Sequence, residues 1–188
     1  MKRIAVLSVQ GAFIEHERIF QELGAQTLEL RCAADLEKPF DALCLPGGES
    51  TTQGKLLREL GMMDDLHKRL DDGLPVFATC AGLILLARTL TNDATCHFRT
   101  LDVTVERNGY GRQLSSFQYT GDFGEIHDVP MSFIRAPRIV AANGDVEVMA
   151  RCNGEITGVR QNNQLAMTFH PELSTDYRVH QYFLEQCL

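Results

Sequence analysis

Cys80 lies in Val76-Phe77-Ala78-Thr79-Cys80-Ala81-Gly82, where a short strand-forming run passes directly into an apolar helical stretch. A residue at such a junction is held on a sharp turn, with its side chain above the sheet. The turn requires small neighbours two positions to either side, and Ala78 and Gly82 meet that requirement. Cys80 would also stand at the N-terminus of the following helix, where the dipole and free N–H groups favour the thiolate, the attacking form of the side chain. Taken alone, the segment also fits a buried structural cysteine at a strand end.

A second group of residues supplies what a nucleophilic cysteine needs. Thr168-Phe169-His170-Pro171-Glu172 follows a strand-like run, which places it at the carboxyl edge of an open α/β sheet, where such folds build their sites. Pro171 fixes φ and stiffens the loop. His170 and Glu172, one residue apart, can converge so that the carboxylate orients the imidazole and stabilises its protonated form. The alternatives are a solvated loop or a metal site, and a metal would need further ligands at suitable spacing, which the sequence does not display. His16, His67, His97, His127 and His180 lie in polar segments and read as surface residues.

The third piece is Leu45-Pro46-Gly47-Gly48-Glu49-Ser50-Thr51-Thr52, again after a strand. Paired glycines allow close backbone approach to a ligand, and Ser50 or Thr51 can cap the helix that begins there. The spacing lacks the Lys-Ser/Thr of a phosphate loop. Backbone amides aimed at a developing oxyanion are the better reading; one such donor is worth about 3–4 kcal/mol of barrier.

These pieces need a scaffold. The 188 residues suit one domain, 1–188, and no linker, repeat or low-complexity tract divides them. Hydrophobic residues make up 44% and charged residues 23%, an ordinary globular balance. A net charge of −7 argues against nucleic acid, and no apolar run approaches the ~20 residues of a membrane span. The start, MKRIAVLSVQGAF, has a basic tip like a signal peptide, but its short apolar run meets Glu15, His16, Glu17 and Arg18, so a buried strand is the reading. Six cysteines without a CxxC pair suit a reducing cytoplasm rather than a disulfide framework or zinc ribbon.

Strands are expected at Arg3–Val9, Thr27–Leu30, Ala42–Leu45 and Pro75–Ala78. Helical segments intervene: an amphipathic one bearing Phe13, Ile19, Phe20 and Leu23, two between Ser50 and Asp72 that divide near Gly61, and one over Ala81–Leu90. Alternation of this kind means βαβ units in an α/β fold: three layers, a mostly parallel central sheet and helices on both faces. From Asp102 to Thr168 short runs (Val103–Val105, Ser132–Ile134, Val146–Met149, Ile156–Val159, Leu165–Phe169) extend that sheet and add a β-rich hairpin layer, before a helical segment over Asp176–Leu188.

Together the cysteine elbow, the PGG loop and the HPE motif resemble the class I (triad) glutamine amidotransferases, whose flavodoxin-like fold agrees with that reading. Further segments are similar to the glutaminase subunits of pyridoxal 5′-phosphate synthase: Gln10-Gly11, PGGESTT at Pro46–Thr52, TCAGLI at Thr79–Ile84, VERNGYGRQ at Val105–Gln113, IRAP at Ile134–Pro137 and FHPEL at Phe169–Leu173. The similarity runs the length of the chain. It implies Cys80 as nucleophile, His170 as general acid/base and Glu172 as its orienter, with the amides of Gly48 and Ala81 forming an oxyanion hole. It implies that Gly47, Gly48, Glu49, Arg107, Ile134 and Arg135 hold L-glutamine; the other reading of Arg107 and Arg135 is an ordinary ion pair. It implies no cofactor or metal, and a separate synthase subunit that receives the ammonia and switches the glutaminase on, with the Gly47–Gly48 peptide as the candidate switch. Two departures stand out: Ala78 where the family usually has glycine, and an unusually polar His97-Phe98-Arg99-Thr100. The same chemistry serving another acceptor, a stand-alone γ-glutamyl hydrolase and a non-catalytic subunit are the alternatives.

Overall fold

Strand β1 (Arg3–Leu7) sends Ile4 and Val6 into one apolar cluster and Ala5 and Leu7 into another, so it is covered on both faces. The same alternation recurs in β3 (Ala42–Leu45) and β4 (Val76–Thr79), where Cys44 and Phe77 face one cluster and Leu43, Leu45 and Ala78 the other. This is the period-2 signature of a central sheet between two helical layers. The computed structural model describes residues 1–109 and 116–188.

The parallel core runs β2 (Gln26–Leu30), β1, β3, β4, β12 (Gln164–Met167). On one face α1 (Phe13–Glu22) and α5 (Arg178–Gln186) place Phe20, Val179 and Phe183 against Ile4, Val6 and Phe77. On the other, α2 (Ser50–Glu59), α3 (Met63–Asp71) and α4 (Ala81–Leu86) bring Leu57, Leu66, Leu70, Leu83 and Leu85 onto Ala5, Leu43 and Val76. Beyond β12 the sheet continues antiparallel through β11 (Glu155–Gln161), β10 (Glu147–Cys152), β7 (Ser116–Phe123) and β8 (Ile126–Ile134). A side branch joins β5 (Ala87–Leu90), β6 (Leu101–Glu106) and β9 (Arg138–Ala142), with β9 pairing β11.

The expected α/β architecture and its antiparallel extension are therefore present. Several boundaries differ. The helix expected over Ala81–Leu90 ends at Leu86, because Ala87, Thr89 and Leu90 pair with Leu101, Thr104 and Val105 of β6; long-range pairing overrides the local apolar signal. β7 and β9 are additional strands, the first with alternating partial exposure and no continuous apolar run. The expected first strand stops at Leu7, two residues short of Val9. Among the described residues no helix is long and apolar enough to cross a membrane.

Candidate active site

Three adjacent parallel strands, β3, β4 and β12, deliver the three sequence pieces to one edge of the sheet. β4 ends at Thr79, and Cys80 turns the chain into α4 with φ 47° and ψ −98°. A non-glycine residue in that region is strained, and such strain persists only where surrounding packing imposes it. Packing imposes it here through Gly82, where an added Cβ would lie 2.1 Å from the carbonyl oxygen of Leu45. Ala78, the departure from the expected glycine, is fully buried in β4 opposite Leu45 and Ala166, and its methyl group joins the apolar core.

His170 follows β12, its amide donating to the carbonyl of Ser132 at 2.8 Å. Its Nδ1 meets Glu172 Oε1 at 2.7 Å, and the side chains of both residues are buried. Pro171 and Glu172 start a short 3₁₀ turn, Pro171–Leu173, the form the stiff His-Pro-Glu segment takes. Burial alone would lower the imidazole pKa; hydrogen bonds to Cys80 and Glu172, with the charges of both, outweigh it and raise His170 to about 10. Burial would raise the Glu172 carboxyl, yet facing His16 and then His170 holds it below its ordinary range. The site thus favours an imidazolium between a sulfur and a carboxylate at neutral pH.

The glycine loop closes over this pair. A Cβ on Gly47 would sit 2.4 Å from His170 Cε1 and 3.5 Å from Cys80 Cβ, so only glycine leaves room for the imidazole. The loop is held by its surroundings: Gly47 N–H donates to Thr79 Oγ1 at 2.9 Å, and Gly47 O accepts from Ala12 N–H at 3.0 Å. Glu49 N–H donates to Gln10 Oε1 at 2.8 Å, and Gln53 Nε2 donates to the carbonyls of Gln10 and Pro46. The helix cap differs from expectation. Glu49, not Ser50 or Thr51, caps α2, accepting from the amides of Thr51 and Thr52 at 3.1 and 2.7 Å; its two oxygens span both free amides, which a single hydroxyl does not.

Of the residues expected to hold glutamine, Gly47 lies against His170, and Gly48 and Glu49 border the same loop. Arg107 is drawn into ion pairs with Glu49 (3.1 Å) and Asp93 (2.7 Å). Ile134 is 44% exposed at the end of β8, and Arg135, exposed with φ 44°, carries no ion pair among the described residues. Within VERNGYGRQ, Tyr110 to Gln113 fall outside the described residues.

The chief correction concerns the other histidines. His16 and His180 are fully buried behind the site, and His97 is half-buried against Gly54. His16 Nε2 lies 3.5 Å from Glu172 Oε2 and 3.3 Å from Thr79 Oγ1, and its Nδ1 lies 2.9 Å from His180 Nε2. The signal was available: His16 falls three residues after Phe13 and four before Phe20, on the apolar stripe of α1, and His180 falls three before Phe183 on α5.

The sequence model of the SNO glutamine amidotransferase family matches residues 6–188. The chain belongs to the SNO glutamine amidotransferase family. It is a glutaminase by that membership. The pyridoxal 5′-phosphate synthase subunit PdxT of Desulfitobacterium hafniense (strain DSM 10664 / DCB-2) is 57% identical over 97% of this chain and 92% of the relative's. That of Bifidobacterium longum is 48% identical over 95% of this chain and 97% of its own. A solved structure described as a glutamine amidotransferase superposes with TM-score 0.91 at 42% identity, covering 97% of each chain. PurLQS from Thermotoga maritima, at 16% identity and TM-score 0.68 over 98% of each chain, shares the fold.

Proposed function

We propose that this SNO-family glutaminase, one unit over 1–188, hydrolyses L-glutamine through Cys80, His170 and Glu172 and supplies the ammonia to a separate pyridoxal 5′-phosphate synthase subunit. The observation that carries the triad is the buried 2.7 Å contact of His170 with Glu172 beside the strained Cys80 turn. The Cys80 thiolate attacks the amide carbon, and the developing oxyanion is held by the amides of Gly48 and Ala81. As the C–N bond breaks, His170 gives its proton to the departing ammonia, leaving a glutamyl thioester. His170 then takes a proton from water as the oxygen attacks. The C–S bond breaks, glutamate leaves, and the thiolate–imidazolium pair is restored.

Gly47, Gly48, Glu49, Arg107, Ile134 and Arg135 hold the glutamine, Arg135 offering a cation to its carboxylate and Glu49 an acceptor to its ammonium group. A reorientation of the Gly47–Gly48 peptide on docking of the synthase would have to break the bond from Ala12 N–H to Gly47 O. The names of the relatives support the synthase as partner. A cytoplasmic setting is supported by six unpaired cysteines.

The test is glutamate release from glutamine by the purified chain, alone and mixed with the synthase subunit. Strong stimulation by the partner, abolished in Cys80→Ala, is expected. Full activity in Cys80→Ala ends the mechanism; brisk activity alone, without response to the partner, ends the assignment of the acceptor.

A further inference from the structure

Behind the candidate triad lies a second row of polar groups that the mechanism above does not use. Glu172 spends Oε1 on His170, and its Oε2 is buried, facing His16 Nε2 at 3.5 Å. His16 comes from α1, His180 from α5 and Thr79 from the end of β4, and all three are inaccessible to solvent. A carboxylate oxygen only accepts, so the nitrogen facing it must carry the proton. With His16 protonated on Nε2, its Nδ1 is a lone pair and accepts from His180 Nε2–H at 2.9 Å. His180 Nδ1 is then a buried lone pair without a hydrogen-bond donor among the described residues, on a ring whose centroid lies 5.2 and 4.6 Å from those of Phe20 and Phe77. The opposite tautomers would set a lone pair against the carboxylate and bury an unpaired N–H against phenyl rings, which costs more.

We infer that His16 is a positioning residue of the glutaminase: through Nε2–H it directs the Glu172 carboxylate so that Oε1 faces His170, and His180 locks it in the tautomer that can do so. At 3.5 Å the contact is long for a hydrogen bond and acts as an oriented dipole on a desolvated charge, where the low dielectric strengthens it. The row reads His180, His16, Glu172, His170, Cys80, with each group donating toward the next as far as the carboxylate. The titratable groups that face His16 are Glu172 and His170 from the loop after β12 and its 3₁₀ turn, His180 from α5 and Glu15 on α1 itself. Cys44, at the end of β3, also faces Glu172. Burial holds both His16 and His180 below the ordinary imidazole range, as neutral relays require.

The same histidine touches the oxyanion loop indirectly. Thr79 Oγ1 accepts from Gly47 N–H at 2.9 Å while lying 3.3 Å from His16 Nε2. A shift of the ring is therefore felt at the base and at the loop together.

The inference rests on the triad reading, and its test separates the two. The wild type, His16→Phe, His16→Gln and Cys80→Ala are each assayed in complex with the synthase subunit, with kcat, KM and the pH profile of kcat/KM recorded. In His16→Phe the expected result is a kcat at least ten-fold lower with KM within two-fold, and an alkaline limb displaced downward by about one pH unit as the imidazolium loses support. His16→Gln, whose amide N–H can reach toward Glu172, is expected to recover most of the loss. An unshifted alkaline limb in His16→Phe, or equal losses in the two variants, overturns the inference. Turnover in Cys80→Ala would instead overturn the triad itself. If His16→Phe does not fold, His180→Phe decides, because it fills apolar space while leaving His16 in place: a lowered alkaline limb supports the inference, and an unmoved one refutes it.

Discussion

At the scale of single residues, the decisive feature is how little room surrounds His170. Gly47 contributes no side chain because a methyl group there would lie 2.4 Å from the imidazole Cε1, well inside contact distance. Gly47→Ala is therefore expected to push the ring away from Cys80 and lower kcat by about 100-fold, the loss that a misplacement near 1 Å can cause. The loop's anchors at Thr79 and Ala12 leave the fold intact, so the melting temperature changes little. Glutaminase assays of the complex beside thermal melts check this, and a mild kinetic effect with a large stability loss would contradict it. That Cys80, His170 and Glu172 would meet at one edge of the sheet was legible from residue types and spacing, since an elbow cysteine and a His-Pro-Glu segment each carry a local reason to exist. His16 and His180 were not, because their neighbours in sequence (Glu15, Glu17, Gln181) are polar and only the helical period turns them inward.

At the scale of elements, the elbow depends on a close approach between α4 and β3. Gly82 sits with its Cα so near Leu45 that a Cβ would meet the carbonyl oxygen at 2.1 Å and Leu45 Cβ at 2.8 Å. The obstacle is mostly backbone, which cannot swing aside as a flexible side chain would. Gly82→Ala is expected to cost about 1–3 kcal/mol of stability, measurable as a lowered urea midpoint, and to disturb Cys80 with it. An unchanged midpoint would mean that α4 moves freely. The alternation of apolar strands with amphipathic helices made the parallel half readable, down to Ala42–Leu45 as β3. The second half was harder. β7 shows partly exposed alternation, β9 is short, and β5 begins inside a run whose leucines and isoleucine suit either conformation. What fixes β5 is a partner, β6, whose register no local pattern announces.

At the scale of the whole molecule, buried ionisable groups set how stability responds to pH. His16 and His180 are held below the ordinary 6.5, so as pH falls through 6.5 the unfolded chain binds protons that the fold excludes, and stability drops. Glu172, held below its ordinary 4.5, adds a further loss as pH falls toward its lowered folded value. His170 works in the other direction. Raised to about 10, its stabilisation is complete below 6.5 and is lost as pH rises from 6.5 to about 10. Buried Cys44 and Cys187, raised above 9.0, the latter to about 11, take away more as unfolded thiols ionise above pH 9. The urea midpoint is expected to peak near neutral pH and decline on both sides; a flat profile, or a midpoint higher at pH 9 than at pH 7, would contradict this.

The order in which the strands fill the sheet has a bearing on the protein's birth. β12 slots between β4 and β11, pairing Met167 with Thr79 on one side and Gly158 on the other, yet it comes from the last part of the sequence. A ribosome releases the cysteine elbow and the glycine loop long before it releases His170 and Glu172. Until then the nascent polypeptide carries the proposed nucleophile without its proposed base, and the gap beside β4 is an open edge awaiting its strand. With the proposed triad, chains cut short by stalled translation are expected to be silent toward glutamine, and ammonia production waits for the last strand to dock.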